Sequence, residues 1–337
     1  MLRLVLGRVV AGVLLVVVLT LLTYVVFFRV PVDPVIYIDP FATDEERSEI
    51  RHQLGLDQPV LEQWGRFAWH LGTEADLGTS LIGQQPVNGI LKQTLPPTLS
   101  LVLGGFTLML LLAIPLGMLS AVRPRSLLDR AVLAFTVFGI VLHPFIVGLL
   151  LRNVFADRLD IAPGGGYCPL RGEFEILTGP GQSTSCGGVV DWVAHMWMPW
   201  LTFALFFLPL YTRLVRAHML DNLGQLYVLT ARAKGATERQ IVTRHVARPA
   251  LGPIAAMLAV DIAIVVTAAI YVETVFGLGG IGQLVASNLG GATGYDLNVL
   301  VGVVVLISIA ITTVSLLSDV TVRALDPRIR FEGSRAR

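Results

Sequence analysis

Apolar runs of membrane-crossing length alternate with short polar stretches along this chain. Residues 9–28, 99–122, 131–151 and 299–318 carry no Asp, Glu, Lys or Arg. Each is close to the ~20 residues that cross roughly 30 Å of hydrocarbon as a helix. The run 196–212 is shorter, with Pro199 and Pro209 near its ends, and 254–276 is apolar apart from Asp261 and Glu273. The pattern predicts six transmembrane helices. Between the fourth and fifth lies the longest polar and basic interruption of the C-terminal half, 229–251, reading LTARAKGATERQIVTRHVARPAL. It is punctuated as helix, tight turn, helix. Gly235 suits the position closing a first helix. Thr237 followed by Gln240 has the spacing of a capping box opening a second.

Composition narrows the class. Of 337 residues, 54% are apolar and 15% charged, with mean hydropathy +0.71; a soluble domain carries about 25% charge. The expectation is an all-α, polytopic membrane protein. A net charge of +1 gives no bulk electrostatic case for nucleic acid. The loops are more informative. Of the 25 Lys and Arg residues, 17 fall in 1–8, 123–130, 213–248 and 323–337, and 8 in the segments between. The positive-inside rule places the first group in the cytoplasm, with both termini and the 229–251 hairpin. The first run has a basic start, Arg3 and Arg8, as a signal peptide would. It is too long for a typical h-region and is followed by RVPVDP in place of a small-residue cleavage site, so an uncleaved helix is expected.

This gives a plan: an N-terminal transmembrane helix over 1–28, an external helical segment over 29–97, a five-helix core over 98–323 and a cytoplasmic tail over 324–337. The core carries an external loop, 153–195, and a cytoplasmic loop, 217–253. In the first external segment, Thr43 to Glu46 reads as a capping-box start. Pro59 then suits the first turn of a helix carrying Leu61, Trp64, Phe67, Trp69 and Leu71. Those aromatics either sit at the membrane interface or pack on the protein. The second external segment is rich in Gly, Pro and Ser and reads as a loop. It holds the two cysteines of the chain, Cys168 and Cys186. An oxidising compartment favours a disulfide between them. The alternatives are free thiols or a metal pair, and two ligands alone do not close a zinc site.

Catalytic patterns are missing from the sequence. It has no G-x-x-x-x-G-K-S/T loop for nucleotide phosphates and no G-x-S-x-G elbow. GLGGIG at 277–282 follows a predicted membrane helix, which is the wrong setting for a dinucleotide site. His52, His70, His143, His195, His218 and His245 are scattered, with no pair at i,i+4. Transport is what is left. Asp261 lies well inside the fifth run, where a carboxylate is costly and must meet a partner or a water-filled path. Both readings, path-lining group and carboxylate bonded between helices, stand. Glu273 is nearer the end of that run. Pro115 and Pro144 are expected to kink the second and third spans.

Several blocks in order carry a family resemblance: PVDP at 31–34, LGLDQPVLEQW at 54–64, DLGTS at 76–80, LDR at 128–130, GQLYVLTARAKGA at 224–236, ETVFGLGGIG at 273–282 and LDPRIRF at 325–331. Across nearly its whole length the chain resembles the permease subunit of ATP-binding-cassette importers of the dipeptide/oligopeptide (peptide/nickel) type. The resemblance implies a type I importer permease architecture in the bacterial cytoplasmic membrane. It implies a second homologous permease, cytoplasmic ATPase subunits and an extracytoplasmic substrate-binding protein as partners, besides membrane lipid. ATP and Mg would bind the ATPase subunits, with no cofactor and no catalytic residue on this chain.

The resemblance also makes the 229–251 hairpin the ATPase-coupling element. Thr230, Ala231, Arg232, Ala233, Lys234, Gly235, Ala236, Glu238 and Arg239 are its candidate contacts. The small side chains among them permit close docking, and Lys234, Glu238 and Arg239 are placed to pair with charges on a partner. The chain departs from the general loop pattern Glu-Ala-Ala-x-x-x-Gly: Leu229 and Thr230 take the first two positions, while Ala231 and Gly235 are kept. An acidic anchor at the first position is therefore lacking. The competing reading of the hairpin is an interfacial helix on anionic lipid. Asp261, Glu273, Phe276 and Gly277 are the candidate path and gate. Rival functions are the same machinery carrying a nickel chelate or another small solute, a proton-coupled carrier using Asp261 and Glu273, and a non-transporting scaffold.

Overall fold

The computed structural model describes residues 2–28, 34–139, 141–170, 174–179, 182–289 and 294–325. Most of PVDP at 31–34, LDPRIRF at 325–331 and the expected 324–337 tail lie outside the described residues. The chain divides into two units, Met1–Thr98 with Gly277–Thr313, and Leu99–Phe276 with Val314–Arg337. Among the described residues, four helices are long and apolar enough to cross a membrane, and the number reaches six if two broken helix pairs count as one span each.

The first unit holds α1 (Leu2–Phe27), a single turn α2 (Val35–Ile38), α3 (Asp44–Leu54) and α4 (Val60–Glu74). It also holds the start of α5 (Val87–Val122), then α13 (Ile281–Asn288) and most of α14 (Leu297–Leu325). Thr43 and Glu46 form the reciprocal capping box that opens α3, and Gly55 closes α3 at φ +67°. Only a residue without Cβ takes that left-handed turn cheaply. The helix α4 is amphipathic. Its Phe67 packs with Tyr24, Leu81, Leu297, Val301 and Val305, with Trp64 and Leu71 alongside. The Trp64 indole N–H donates to Thr20 Oγ1 at 3.1 Å. Leu61 and Trp69 stay 70% exposed, so the predicted aromatic stripe divides between packing and exposure. The DLGTS block has a structural role: Ser80 Oγ and the Ile82 N–H donate to Asp296 Oδ2, and Asp296 Oδ1 accepts from the Val299 N–H in the first turn of α14.

In the second unit, α6 (Leu127–Gly139), α7 (Pro144–Arg152), α11 (Ala247–Val260) and α12 (Ile262–Phe276) pack around the long α8 (Val189–Leu223). Glycines of α5 set the approach to α8. A Cβ on Gly104 would overlap the Trp200 indole, and one on Gly117 would meet Val215 at 2.6 Å. Phe106, Phe203, Phe207 and Tyr211 form a chain of ring contacts at this seam.

The sequence reading needs correction at three places. Residues 131–151 are two helices with a break before Pro144, and His143 caps the second. Proline tolerates the first helical position because its missing N–H would be unpaired there anyway, so the bend expected at Pro144 takes the form of a break, with the two helices at 102°. Residues 254–276 divide at Asp261 into α11 and α12. The external loop contains an antiparallel hairpin, β1 (Phe174–Gly179) and β2 (Gln182–Cys186), pairing Phe174 with Cys186. Its short strands lie in a Gly- and Ser-rich stretch with no clear alternation, so the sequence offered little signal.

Candidate functional site

The polar hairpin is rooted in two long helices. Beyond α8 and Gly224, α9 (Leu226–Ala233) runs to a turn at Lys234 and Gly235, where Gly235 has φ +84°. Thr237 and Gln240 close a capping box around α10 (Glu238–Gln240), and a π-helical turn over Ile241–Val246 leads into α11. Val228, Ile241 and Val246 are fully buried and hold the arms together. Leu226, Tyr227 and Leu229 are exposed, with Leu226 at 79%. Of the candidate contacts, Ala231 and Ala236 are half-buried, and Thr230, Arg232, Ala233, Lys234, Gly235, Glu238 and Arg239 are exposed.

One of those candidates already has a partner within the hairpin. Arg232 Nε and Nη2 donate to the two Glu238 carboxylate oxygens at 2.7 and 3.1 Å. A two-pronged guanidinium–carboxylate pair is directional, so it braces the two sides of the Gly235 turn. Its hydrogen bonds hold the Glu238 carboxyl below its ordinary range and raise the guanidinium. The sign follows: this bracing is complete above the ordinary Glu value and is lost as pH falls through the lowered one. Both side chains are exposed to solvent, so the pair shapes the turn more than it stabilises the chain. Lys234 and Arg239 are the remaining charges at the tip.

At the foot of α8 the structure assembles a group that sequence reasoning missed. Asp129, 2% exposed, accepts from Arg216 Nε at 2.7 Å and Nη2 at 3.0 Å. The Arg125 N–H donates to Asp129 Oδ2 at 2.8 Å, and Ser120 Oγ donates to Oδ1. Arg216 Nε also reaches Ser120 Oγ at 3.0 Å. The end of α5, the start of α6 and the lower part of α8 are thereby joined at one carboxylate. The available signal was an acid amid three arginines at 123–130 and Arg216, one of two arginines that follow the apolar run 196–212. Neither says that the two meet.

The path and gate candidates do not gather into one cluster. Asp261 is buried between α11 and α12 and accepts from Tyr211 Oη of α8 at 2.7 Å. Of the two readings left open for it, the observed contact is a bond between helices. Tyr211→Phe should leave Asp261 Oδ2 buried without that donor and cost about 1–3 kcal/mol, read as a lower unfolding temperature of the purified chain. Glu273 is fully buried three turns along α12, about 18 Å further on by helical rise. Phe276 is buried at the end of α12, where its carbonyl accepts from the Gly166 N–H at 2.8 Å. The Val275 carbonyl accepts from Arg152 Nη1 at 2.8 Å. Gly277 is exposed at φ +60°.

Cys168 and Cys186 are joined in a disulfide whose Cα atoms lie 5.7 Å apart. Cys168 Sγ lies 3.9 Å from His195 Nε2 at the start of α8. The bridge closes a loop over a sequence separation of 18, so Cys168→Ser should cost about 3 kcal/mol by loop entropy. Thermal unfolding with and without reductant checks this, since reductant should lower the native midpoint and leave that of the variant unchanged.

The chain matches known proteins over nearly its whole length. Residues 113–331 match the family described as binding-protein-dependent transport system inner membrane component, and residues 1–102 match the N-terminal domain of that component. A peptide permease protein of Brucella suis biovar 1 is 33% identical over 336 residues, covering 98% of this chain and 99% of its own. The oligopeptide transport system permease protein AppB of Bacillus subtilis is 30% identical over 315 residues, covering 93% and 94%. Among solved structures, a chain of the MetNI methionine ABC transporter in an inward-facing conformation matches with TM-score 0.51 and 20% identity. That match covers 70% of this chain and 96% of the other and speaks to the fold. The two family matches take in nearly the whole length, and the apolar helices fit an inner membrane protein with several spans. This chain belongs to the family of inner membrane components of binding-protein-dependent transport systems.

Proposed function

We propose that this chain is a permease subunit of an ATP-driven importer that moves peptides across the cytoplasmic membrane by alternating access. It pairs with a second, similar permease, two ATPase subunits dock on the cytoplasmic side, and a binding protein delivers cargo from outside. The observation that carries the reading is the exposed hairpin between α8 and α11. Its turn is preset by Gly235, a capping box and the Arg232–Glu238 pair. A short, braced element continuous with two long helices can pass motion from a soluble motor into a helical bundle. Lys234, Arg239 and the small residues Ala231, Ala233 and Ala236 then make the contact with the ATPase. The absence of a phosphate-binding loop from the sequence supports hydrolysis on separate subunits. The names of the peptide permease relatives, matched nearly end to end, support peptide cargo. Both termini and the hairpin face the cytoplasm, as the Lys and Arg distribution favours.

The test is uptake of tri-alanine and longer peptides into vesicles carrying the permease pair, the ATPases and the binding protein. Accumulation should require ATP and stop in its absence. Uptake that follows a proton gradient and ignores ATP would overturn the reading.

A further inference from the structure

The break in the third span places polar groups where a membrane offers no water. Neither α6, 13 residues, nor α7 with the π-helical turn Asn153–Arg158 that continues it, 9 and 6 residues, crosses the hydrocarbon alone; at about 1.5 Å per residue each arm reaches only about 20 Å. Taken together as one broken span, with Leu127–Gly139 and Pro144–Arg158 bent by 102°, the pair holds the non-helical residues 141–143 at the bend, between its two arms and inside the membrane. Irregular backbone at that depth persists only where it is buried in protein or lines a wet cavity. His143 occupies this break. Its Nδ1 accepts from the Phe145 N–H at 3.3 Å, and its carbonyl accepts from Ile146 and Val147. With Nδ1 accepting, the proton of the neutral ring is on Nε2, which is then a donor. Among the described residues no acceptor meets it. The ring stacks edge-on against Tyr271 of α12, with centroids 4.5 Å apart and planes at 78°.

Both side chains are exposed on the chain, Tyr271 at 36%. No hydrogen-bond partner for the Tyr271 hydroxyl occurs among the described residues either. Val141 beside them is 81% exposed. The pair lies on the seam between α7 and α12, which close on each other at Gly148, where a Cβ would meet Val275 at 3.2 Å. Lipid tails cannot satisfy an imidazole N–H or a phenol, and an ionisable group at this depth marks a transport route by default.

We propose that His143 and Tyr271 form a polar station on the translocation path that contacts the backbone of the passing peptide. The inference rests on the importer reading above. An imidazole N–H donor and a phenol that donates and accepts match the carbonyl and amide of a peptide bond. They also make no demand on the side chains of the cargo.

The test uses the assembled transporter in vesicles. Single cysteines at His143→Cys, Tyr271→Cys and Val141→Cys are exposed to a charged, membrane-impermeant thiol reagent without nucleotide, with ATP and after vanadate trapping. The two native cysteines are bonded to each other and do not compete. Lys234→Cys in the exposed turn, in permeabilised vesicles, is the reference. Labelling of at least two of the three within tenfold of the reference rate in one state is expected. Tyr271→Phe and His143→Ala should raise the KM for tri-alanine uptake about three- to tenfold in complexes that still assemble. Val141→Cys keeps the water-access test available should either aromatic replacement disrupt assembly. No labelling in any state would overturn the proposal, because the break would then be sealed against lipid or the second permease. Labelling with an unchanged KM would overturn the peptide contact. Failure of the native complex to take up tri-alanine under ATP would strike the importer reading instead, which the labelling rates do not depend on.

Discussion

Asp129→Ala is expected to destabilise the unit built around α8 by about 3 kcal/mol and to abolish transport with it. The carboxylate is buried, bonded twice to Arg216, and met by Ser120 and the Arg125 N–H. A buried ion pair adds little net stability when it forms, since desolvation offsets most of the attraction. Removing one partner is different: the Arg216 charge is left without a counter-ion, and that costs about 3–5 kcal/mol. The lower figure applies here because the Arg216 side chain keeps 20% exposure and some access to water. The double variant Asp129→Leu with Arg216→Met should recover most of the loss, because no charge is then stranded. Thermal unfolding of the four proteins of this cycle measures the effect. Equal, additive losses in the two single variants would show that the pair does not act as a unit. Arg216 lies two turns before the end of α8, which leads into the hairpin. A loosened foot of α8 should therefore lower uptake even at temperatures where the chain stays folded.

Gly235→Val should cut ATP-driven uptake by about tenfold or more while membrane insertion proceeds normally. The position has φ +84°, and nothing lies within 4 Å of where a Cβ would be built. The cost is conformational and not steric crowding. A β-branched residue in the left-handed region loses about 1–3 kcal/mol, enough to populate other turn geometries and misplace Lys234 and Arg239. Asparagine tolerates that region best among the other residues, so Gly235→Asn should retain most transport and Gly235→Ala should fall between. Uptake and co-purification of the ATPases across this series separate the shape of the turn from the size of the side chain. Equal activity of the valine and asparagine variants would remove the turn from the coupling route.

Local punctuation was readable because its physics is local. The capping boxes at Thr43 and Thr237 each need one oxygen and one N–H three residues on, and both form. Gly55 and Gly235 take left-handed turns that follow from the lack of a side chain. The apolar runs announced the helices for a similar reason, since their cost in water is additive along the chain. Boundaries were less readable. The helices α5 and α8 extend well past their apolar runs, because polar ends hold a helix once packing holds its middle.

The contacts that assemble the unit were hidden in the sequence. Asp129 meets Arg216 across 87 residues, Tyr211 meets Asp261 across 50, and Ser80 meets Asp296 across 216. A single sequence lists each of these as a polar residue in or beside an apolar run, and says that it must be paired without saying with what. The break at 141–143 was hidden by the absence of charge along the run, which reports burial or lipid contact and is blind to a change in helix direction. The sequence alone determined a bundle of apolar helices with a preset polar hairpin, because hydrophobic transfer and helix capping act over a few residues. The tertiary structure decided which charges neutralise one another, where two spans divide and which polar groups are left facing outward. Those outcomes depend on which helix faces meet, and that is a property of the packed chain.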